Sequence, residues 1–284
     1  MGAGGGDAGH RAGGYAGVSE RSGVPLPSRR GGGSATEGSG ERTRRYHPTH
    51  RIGLLAPSAN PAVEPELRHL LPVSAALHVT RLPVMPDTTL EQRNAIYLAA
   101  AETALGAFGA LRLDAVAVGI TGPSYALPPA EDAALQDHLS ARAGRPVVLA
   151  ARAIAEALAA LGRTRLTLFS PYPGWLTERA ERYWRAAGFE LESFKACDTF
   201  RAYEMTPEEV ADGLARLSPP ADGVVLLSGT GMPTLDPMAW MRERVGVPLL
   251  SSNLAIAFAL CRRLGVEASE ALGACCPALT RQLG

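Results

Sequence analysis

Two apolar segments of this chain, about one hundred residues apart, run into loops of the same kind. The first starts at Asp114 and leads into a loop of glycine and hydroxyl residues at 119–125, and the second starts at Asp222 and leads into a similar loop at 228–235. Short apolar runs bounded by glycine are typical of buried strands in parallel sheets. Ligands bind at the carboxyl ends of such strands, so these loops are the first candidates for a functional site.

Composition indicates a globular protein with a small-molecule partner. The chain has 284 residues, of which 46% are hydrophobic and 20% are charged, enough to bury one large core or two small ones. Its formal net charge is zero, whereas proteins that bind nucleic acids or membrane surfaces carry an excess of basic residues, so we expect neither partner. The six histidines show no metal-ligand spacing, and no metal site is predicted.

Targeting signals and cysteine usage favour the cytoplasm. No apolar stretch is long enough to span a bilayer, and the N-terminus has no apolar core of a signal peptide. The four cysteines do not form a disulfide framework, so a reducing compartment is expected.

The first 46 residues differ in composition from the rest. They hold 14 of the 31 glycines, with many Ser and Arg and almost no aliphatic periodicity, so we predict a disordered tail over 1–46. Its arginines could contact RNA or another acidic partner weakly. A solvated tail, or a start codon assigned too early, explains the same residues.

From Arg51 onward, short β-branched and leucine-rich runs alternate with helical patterns, which is typical of an α/β protein with parallel sheets. A helix is predicted over 89–111, with Asp87 and Thr88 as candidate caps. The predicted strands are 51–56, 77–82, 113–118, 146–149, 165–170, 188–194, 222–228 and 247–250.

Three pairs of segments repeat at a spacing of about one hundred residues and indicate a duplicated α/β half. Residues 51–57 resemble 165–171, residues 114–122 resemble 222–231, and residues 146–162 resemble 248–265. Two facing halves would enclose a cleft lined by corresponding loops. The alternative is that any α/β protein repeats strand, loop and helix at similar intervals.

A third motif lies near the start of the chain, Arg51-Ile-Gly-Leu-Leu-Ala-Pro-Ser-Ala-Asn60. Together with the two loops, it gives the chain a resemblance to a known family. The chain resembles the aspartate/glutamate racemase superfamily, in its maleate isomerase and arylmalonate decarboxylase branch. The resemblance implies two similar flavodoxin-like or Rossmann-like halves with parallel sheets, related by a pseudo-twofold axis, with the site between them. We expect 47–149 plus 251–284 to form the first half and 150–250 the second.

The resemblance also implies chemistry without a metal or an organic cofactor. In the family, one or two cysteines at the ends of equivalent strands act as proton donor, base or nucleophile beside a substrate carboxylate. Here the alignment places Gly119 and Gly229 at those positions, with a shift of one residue possible at the first. Ser228, Tyr125 and Cys197 are the candidates to replace the thiols as proton carrier.

Five residues are the candidate substrate-binding groups. Asn60 matches a carboxylate-binding asparagine of the family, and Tyr172 matches a substrate-binding tyrosine. Thr121 on one wall, and Thr230 and the amide of Gly231 on the opposite wall, could hold a carboxylate. The alternatives are a helix-capping or turn role for Asn60, a packing role for Tyr172, and helix capping by the loop hydroxyls.

These residues lead to two functional hypotheses. The first is a cofactor-independent isomerase, racemase or decarboxylase acting on a small carboxylate or dicarboxylate. The second is a catalytically degenerate carboxylate-binding protein, a sensor or accessory subunit that lacks the family thiols. A homo-oligomer is possible in either case.

Overall fold

The computed structural model describes residues 48–195 and 200–283. The predicted tail at 1–46 and the candidate Cys197 lie outside the described residues, so both stay predictions. Among the described residues, no helix has the length and apolar character needed to cross a membrane.

The described residues form eight strands in two separate sheets, and every strand pair is parallel. All eight predicted strands are confirmed, with ends that differ by at most two residues. The first sheet has the order β2-β1-β3-β4 and the second β6-β5-β7-β8. The strands are β1 His50–Ala56, β2 Ala75–Arg81, β3 Ala115–Val118, β4 Val147–Leu149, β5 Arg165–Ser170, β6 Glu190–Lys195, β7 Val224–Leu227 and β8 Leu249–Ser251.

Helices flank both sheets because β1, β3, β5 and β7 are buried along nearly their whole length and need cover on both faces. The helices are α1 Val63–Leu70, α2 Leu90–Leu105, α3 Pro129–Ala143, α4 Ala150–Leu161, α5 Gly174–Ala186, α6 Pro207–Leu214, α7 Leu235–Val245, α8 Ser252–Leu264, α9 Glu270–Cys275 and α10 Pro277–Thr280, with short 3₁₀ turns at Gly106–Phe108 and Gly122–Ala126.

The predicted cap of the helix over 89–111 is wrong. Neither Asp87 nor Thr88 caps α2; instead, the Thr89 hydroxyl accepts the backbone N–H of Gln92 at 3.2 Å, and the Gln92 side chain accepts the N–H of Thr89 at 2.9 Å. This reciprocal pair is a capping box, which needs a Gln or Glu three residues after the cap. Thr89 has this partner in Gln92. Glu91 has the right spacing to serve Thr88, but its carboxylate pairs with Arg179 instead.

The two sheets repeat one plan, which confirms the duplicated α/β fold. Each has the same strand order, and each ends in a strand followed directly by a buried helix, α4 after β4 and α8 after β8. These two helices pack against each other, and Glu156 of α4 accepts hydrogen bonds from Arg262 and Arg263 of α8 at 2.8 and 2.9 Å. The residue bounds of the two halves stay a prediction.

A buried carboxylate ties the first sheet's α1 to the second sheet's loops. Glu66 accepts hydrogen bonds from the Thr234 hydroxyl and the Asn253 amide, both at 2.7 Å, and from the backbone N–H of Thr234 at the start of α7. Burial raises the pKa of Glu66, and these donors partly oppose the shift. The Glu66 side chain of α1 therefore serves as the shared acceptor for the start of α7 and for α8.

Replacing Glu66 by alanine should destabilise the fold strongly. The donors of Thr234 and Asn253 would stay buried without an acceptor, at a cost of about 1–3 kcal/mol for each group. Thermal and urea unfolding of Glu66→Ala should show this loss. The control is Glu64→Ala on the same helix, because Glu64 pairs with the half-exposed Arg68 and Arg81 and such surface pairs contribute about 0–1 kcal/mol. Equal stability of the two variants would contradict this role of Glu66.

Candidate functional site

The loops after β1, β3 and β7 meet at one point between the sheets. The Thr230 hydroxyl donates to the carbonyl oxygen of Gly119 at 2.7 Å and accepts from the side-chain amide of Asn60 at 3.0 Å. Parallel strands bring their carboxyl ends to one edge of each sheet, and these bonds join the two edges. The structure thus brings Asn60, Gly119 and Thr230 together as the sequence predicted.

Beside this junction lies a cavity of about 40 Å³. Residues from both sheets' loops, from α2 and from the segment before α6 line it, so both halves contribute to its wall. The lining residues are Pro57, Leu90, Arg93, Asn94, Tyr97, Ile120, Thr121, Gly122, Tyr172, Leu176, Phe200, Ala202, Tyr203, Gly229, Thr230 and Gly231. Four of the five predicted binding residues, namely Thr121, Tyr172, Thr230 and Gly231, are among them.

Asn60 is buried and has a structural role. Its side-chain oxygen accepts the backbone N–H groups of Ala62 and Val63, both at 3.0 Å, at the entry to α1. Its amide nitrogen donates to Thr230, and Asn60 is not part of the cavity lining. The turn role that the sequence left open is therefore present, and Asn60 acts on the cavity by holding Thr230.

Gly229 has a backbone conformation that side chains rarely adopt. Its φ is +99°, and its N–H donates to the Ser252 hydroxyl at 3.0 Å. A Cβ at this position would lie 3.0 Å from the Tyr172 hydroxyl oxygen. Residue 229 therefore faces the cavity next to Tyr172, and any side chain there would be strained.

Gly119, the other position aligned with a family cysteine, does not face the cavity. A Cβ there would lie 2.9 Å from Val63 and 3.0 Å from Leu54, inside the core. The next residue, Ile120, lines the cavity. If a cysteine of the family corresponds to this loop, position 120 is the one that could present it, within the one-residue shift that the sequence allowed.

Tyr203 lies directly against Gly231. A Cβ at residue 231 would overlap the Tyr203 ring, so only glycine permits this approach. Burial raises the pKa of Tyr203 to about 12, partly opposed by the charges of Arg93 and Arg81. The phenol is therefore neutral at physiological pH and able to donate a hydrogen bond.

Ser228 and Tyr125 lie behind the cavity wall. They are hydrogen-bonded to each other at 2.8 Å, and the indole N–H of Trp184 donates to the Tyr125 hydroxyl at 3.2 Å. Neither is a lining residue, so neither faces a ligand as the proton carrier that the sequence suggested. Burial raises the pKa of Tyr125, which therefore stays protonated.

Tyr172 stands between this buried pair and the cavity. Burial raises the pKa of its hydroxyl, and hydrogen bonds to Ser228 and Thr121 lower it in part. Its ring stacks on Phe200 with centroids 6.5 Å apart. The Tyr172 hydroxyl is thus a fixed donor at the cavity surface.

Arg93 and Asn94 are site residues that the sequence analysis missed, because they lie on α2 and not at a strand end. Both line the cavity, together with Leu90 and Tyr97 of the same helix. Residues three, four and seven positions apart share one helix face. The available signal was two polar residues inside an otherwise apolar helical face, which packing alone does not explain.

Arg93 makes the cavity attractive to anions. It is half-buried, and no carboxylate of a described residue lies within ion-pair distance of its guanidinium. The neighbouring Arg81, in contrast, is neutralised by Glu64. A guanidinium and several hydroxyl donors in one small cavity suit a carboxylate ligand.

The described cysteines lie away from the cavity lining. Cys261 and Cys276 are buried and Cys275 is partly buried. Burial raises the pKa of all three thiols, that of Cys261 to about 11, so they are poor nucleophiles at neutral pH. Within residues 48–195 and 200–283, no group of three His, Cys, Asp or Glu side chains could hold a metal ion.

Solved structures share this fold. The maleate isomerase Iso of Pseudomonas putida superposes with a TM-score of 0.73 at 17% identity, over 81% of this chain and 98% of its own. A cysteine variant of the maleate cis-trans isomerase of Nocardia farcinica, with a covalently bound succinylcysteine intermediate, gives 0.70 at 22% identity, over 82% and 98%.

Sequence comparison agrees with the structural match. A maleate isomerase from Nocardia farcinica is 30% identical over 230 residues, which are 75% of this chain and 90% of the relative. Residues 52–275 match the arylmalonate decarboxylase family. The chain therefore belongs to the arylmalonate decarboxylase family.

Proposed function

We propose that this protein is a cofactor-independent enzyme of the isomerase and decarboxylase type that acts on a small carboxylate or dicarboxylate. The observation that carries the proposal is the cavity at the carboxyl ends of both sheets, whose lining combines the hydroxyls of Thr121 and Tyr172 with Arg93, a residue that has no ion-pair partner among the described residues. A carboxylate bound there would accept a charge-assisted hydrogen bond from Arg93 and neutral hydrogen bonds from the two hydroxyls. The family relationship supports chemistry at that carboxylate.

We further propose that the family's thiols are replaced in this chain. The support is local: Gly229 faces the cavity in a conformation that disfavours a side chain, and Ile120 is the residue that the other loop presents. Any activity must then depend on hydrogen-bond donors that stabilise negative charge on the substrate. In other enzymes, one such donor raises kcat by about 10²–10³-fold. The enzyme would work in the cytoplasm, in line with the absence of a disulfide spacing.

The second candidate is a protein that binds a carboxylate without converting it. The absence of a thiol from the described cavity lining favours it. Calorimetric titration with maleate, aspartate, glutamate and malonates, followed by NMR of the same samples, separates the two. Binding with product formation supports the enzyme, binding without product supports the second candidate, and no binding contradicts both.

Replacing Arg93 by glutamine should weaken carboxylate binding by about 10- to 100-fold. A hydrogen bond to a charged group contributes about 1.5–3 kcal/mol, and each 1.4 kcal/mol is a factor of ten. Calorimetry against the best ligand of the panel measures the effect. Arg142→Gln is the control, since Arg142 is exposed on α3 and pairs with Glu102. Equal affinity of Arg93→Gln and wild-type protein would place the ligand elsewhere.

Ligand affinity should be constant between pH 7 and 10. An exposed tyrosine would lose its proton near pH 10, but burial raises the pKa of Tyr172 and brings that of Tyr203 to about 12. Because the raised pKa keeps the phenol form in the folded protein, both remain donors throughout this range. An affinity that falls with a midpoint near pH 10 would show that these hydroxyls are solvated and would contradict the assignment.

A further inference from the structure

The cavity between the loops is small for a complete ligand. Its volume of about 40 Å³ is room for about three water molecules, since one water needs about 10–15 Å³ of such space. Sites for larger ligands usually measure about 300–1,000 Å³. The cavity therefore has room for one carboxylate with one or two attached carbons, and any longer part of a ligand needs space elsewhere.

A larger space lies behind one wall of the cavity. A groove of about 540 Å³ runs along α1 and the starts of α6 and α7, and Tyr203 lines both this groove and the cavity. Among the described lining residues, Tyr203 is the one that the two spaces share. The Tyr203 side chain is therefore the partition between them.

The Tyr203 ring is held in this position by its surroundings. The backbone N–H of Met205 donates to the Arg201 carbonyl at 3.1 Å, so Tyr203 lies in a hydrogen-bonded turn before α6. Its ring packs edge-on against Phe200, with centroids 5.2 Å apart, and lies against Gly231. Moving the ring aside would give up these contacts, so the partition stays closed in the folded protein.

The groove is mainly apolar and contains acidic groups. Four prolines, Met205 and Leu235 account for much of its lining. Glu66 and Asp236 contribute carboxyl groups, and the described lining contains no lysine or arginine. An alkyl chain would gain from such a surface, whereas a second carboxylate of a ligand would lose its hydration there without meeting a cation.

Resting on the proposed function, we infer that Tyr203 is the specificity-determining residue of this site and limits it to short carboxylates. With the ring in place, a ligand lies within the cavity, where its carboxylate contacts Arg93 and the loop hydroxyls. Without the ring, the cavity and the groove form one space, and the site binds monocarboxylates with an unbranched alkyl chain. The side chain at 203 thus decides how much of a ligand can follow its carboxylate.

The test is calorimetric titration of the full chain with propionate, hexanoate and adipate. Wild-type protein should bind propionate at least about tenfold more tightly than hexanoate, because the Tyr203 ring excludes the longer chain. Tyr203→Ala should reverse this order by at least about tenfold, since each methylene that leaves water for an apolar surface improves affinity about fourfold. In Tyr203→Ala, adipate should bind at least about tenfold more weakly than hexanoate, because its second carboxylate would lie in the groove.

Tyr203→Phe is the matched control, because it keeps the ring and removes the hydroxyl. Among the described residues, no group forms a hydrogen bond with this hydroxyl, so the change leaves no partner unpaired. The variant should keep the wild-type ratio of propionate affinity to hexanoate affinity, even where the loss of a donor weakens the binding of both acids.

Tyr203→Leu keeps the test open if Tyr203→Ala does not unfold cooperatively in thermal denaturation. Leucine preserves an apolar side chain in the turn but leaves out the outer part of the ring. This variant should narrow the wild-type preference for propionate over hexanoate by at least about threefold, the gain expected from about one buried methylene.

The remaining outcomes separate this inference from the proposed function. Hexanoate binding by wild-type protein as tight as propionate binding, an unchanged order in Tyr203→Ala, equal affinity of that variant for adipate and hexanoate, or a reversed order in Tyr203→Phe would overturn the inference. Binding of malonate or maleate by wild-type protein without binding of propionate would also overturn it, and each of these results leaves the proposed function standing. If wild-type protein binds none of these carboxylates, both fail.

Discussion

The Thr230 hydroxyl makes the contact on which the site depends. It is buried, donates to the Gly119 carbonyl after β3 and accepts from Asn60 after β1, so one side chain of the second half joins two loops of the first. The Asn253 amide holds the Thr230 carbonyl at 3.1 Å and also bonds Glu66. Breaking any of these bonds would leave a buried polar group without a partner, so they hold the loops in one arrangement. The cavity wall therefore takes its shape from the junction of the two sheets.

The glycines of the loop after β7 bring two phenols to the cavity wall. At 229 the positive φ directs the chain past Tyr172, and at 231 the missing side chain admits the Tyr203 ring. Both phenols then reach the space where a side chain would otherwise project. The loop thus places two neutral hydrogen-bond donors beside the cavity, which suits the stabilisation of negative charge on a bound carboxylate.

The sequence predicted the sheets well because their signal is local. An apolar run such as 224–227 ended by a glycine loop can be read without knowing its neighbours, and the repeat between the halves identified the loops that meet. The sequence predicted the cap of α2 wrongly, because Asp87, Thr88 and Thr89 all have side chains that can cap a helix. Only the hydrogen bonds to Gln92 identify Thr89 as the cap.

The site was predictable in part, for a physical reason. Thr121, Tyr172 and Thr230 follow strands, so their placement at one edge could be expected. Arg93 reaches the cavity from a helix packed over it, which depends on tertiary packing. Ser228 and Tyr125, predicted as proton carriers, are buried and do not line the cavity, because the local backbone direction decides whether a side chain faces the cavity or the core and the sequence does not show that direction.

The most direct test of thiol-independent chemistry is the rate of malonate or maleate conversion by a Cys197→Ser variant. Cys197 is the cysteine of the chain nearest in sequence to a cavity residue, Phe200, and serine lacks its nucleophilic and acidic character. The account predicts that the variant keeps kcat and Kd within about threefold of wild type. Retained ligand binding with loss of conversion would show that Cys197 carries the chemistry, and would contradict the account.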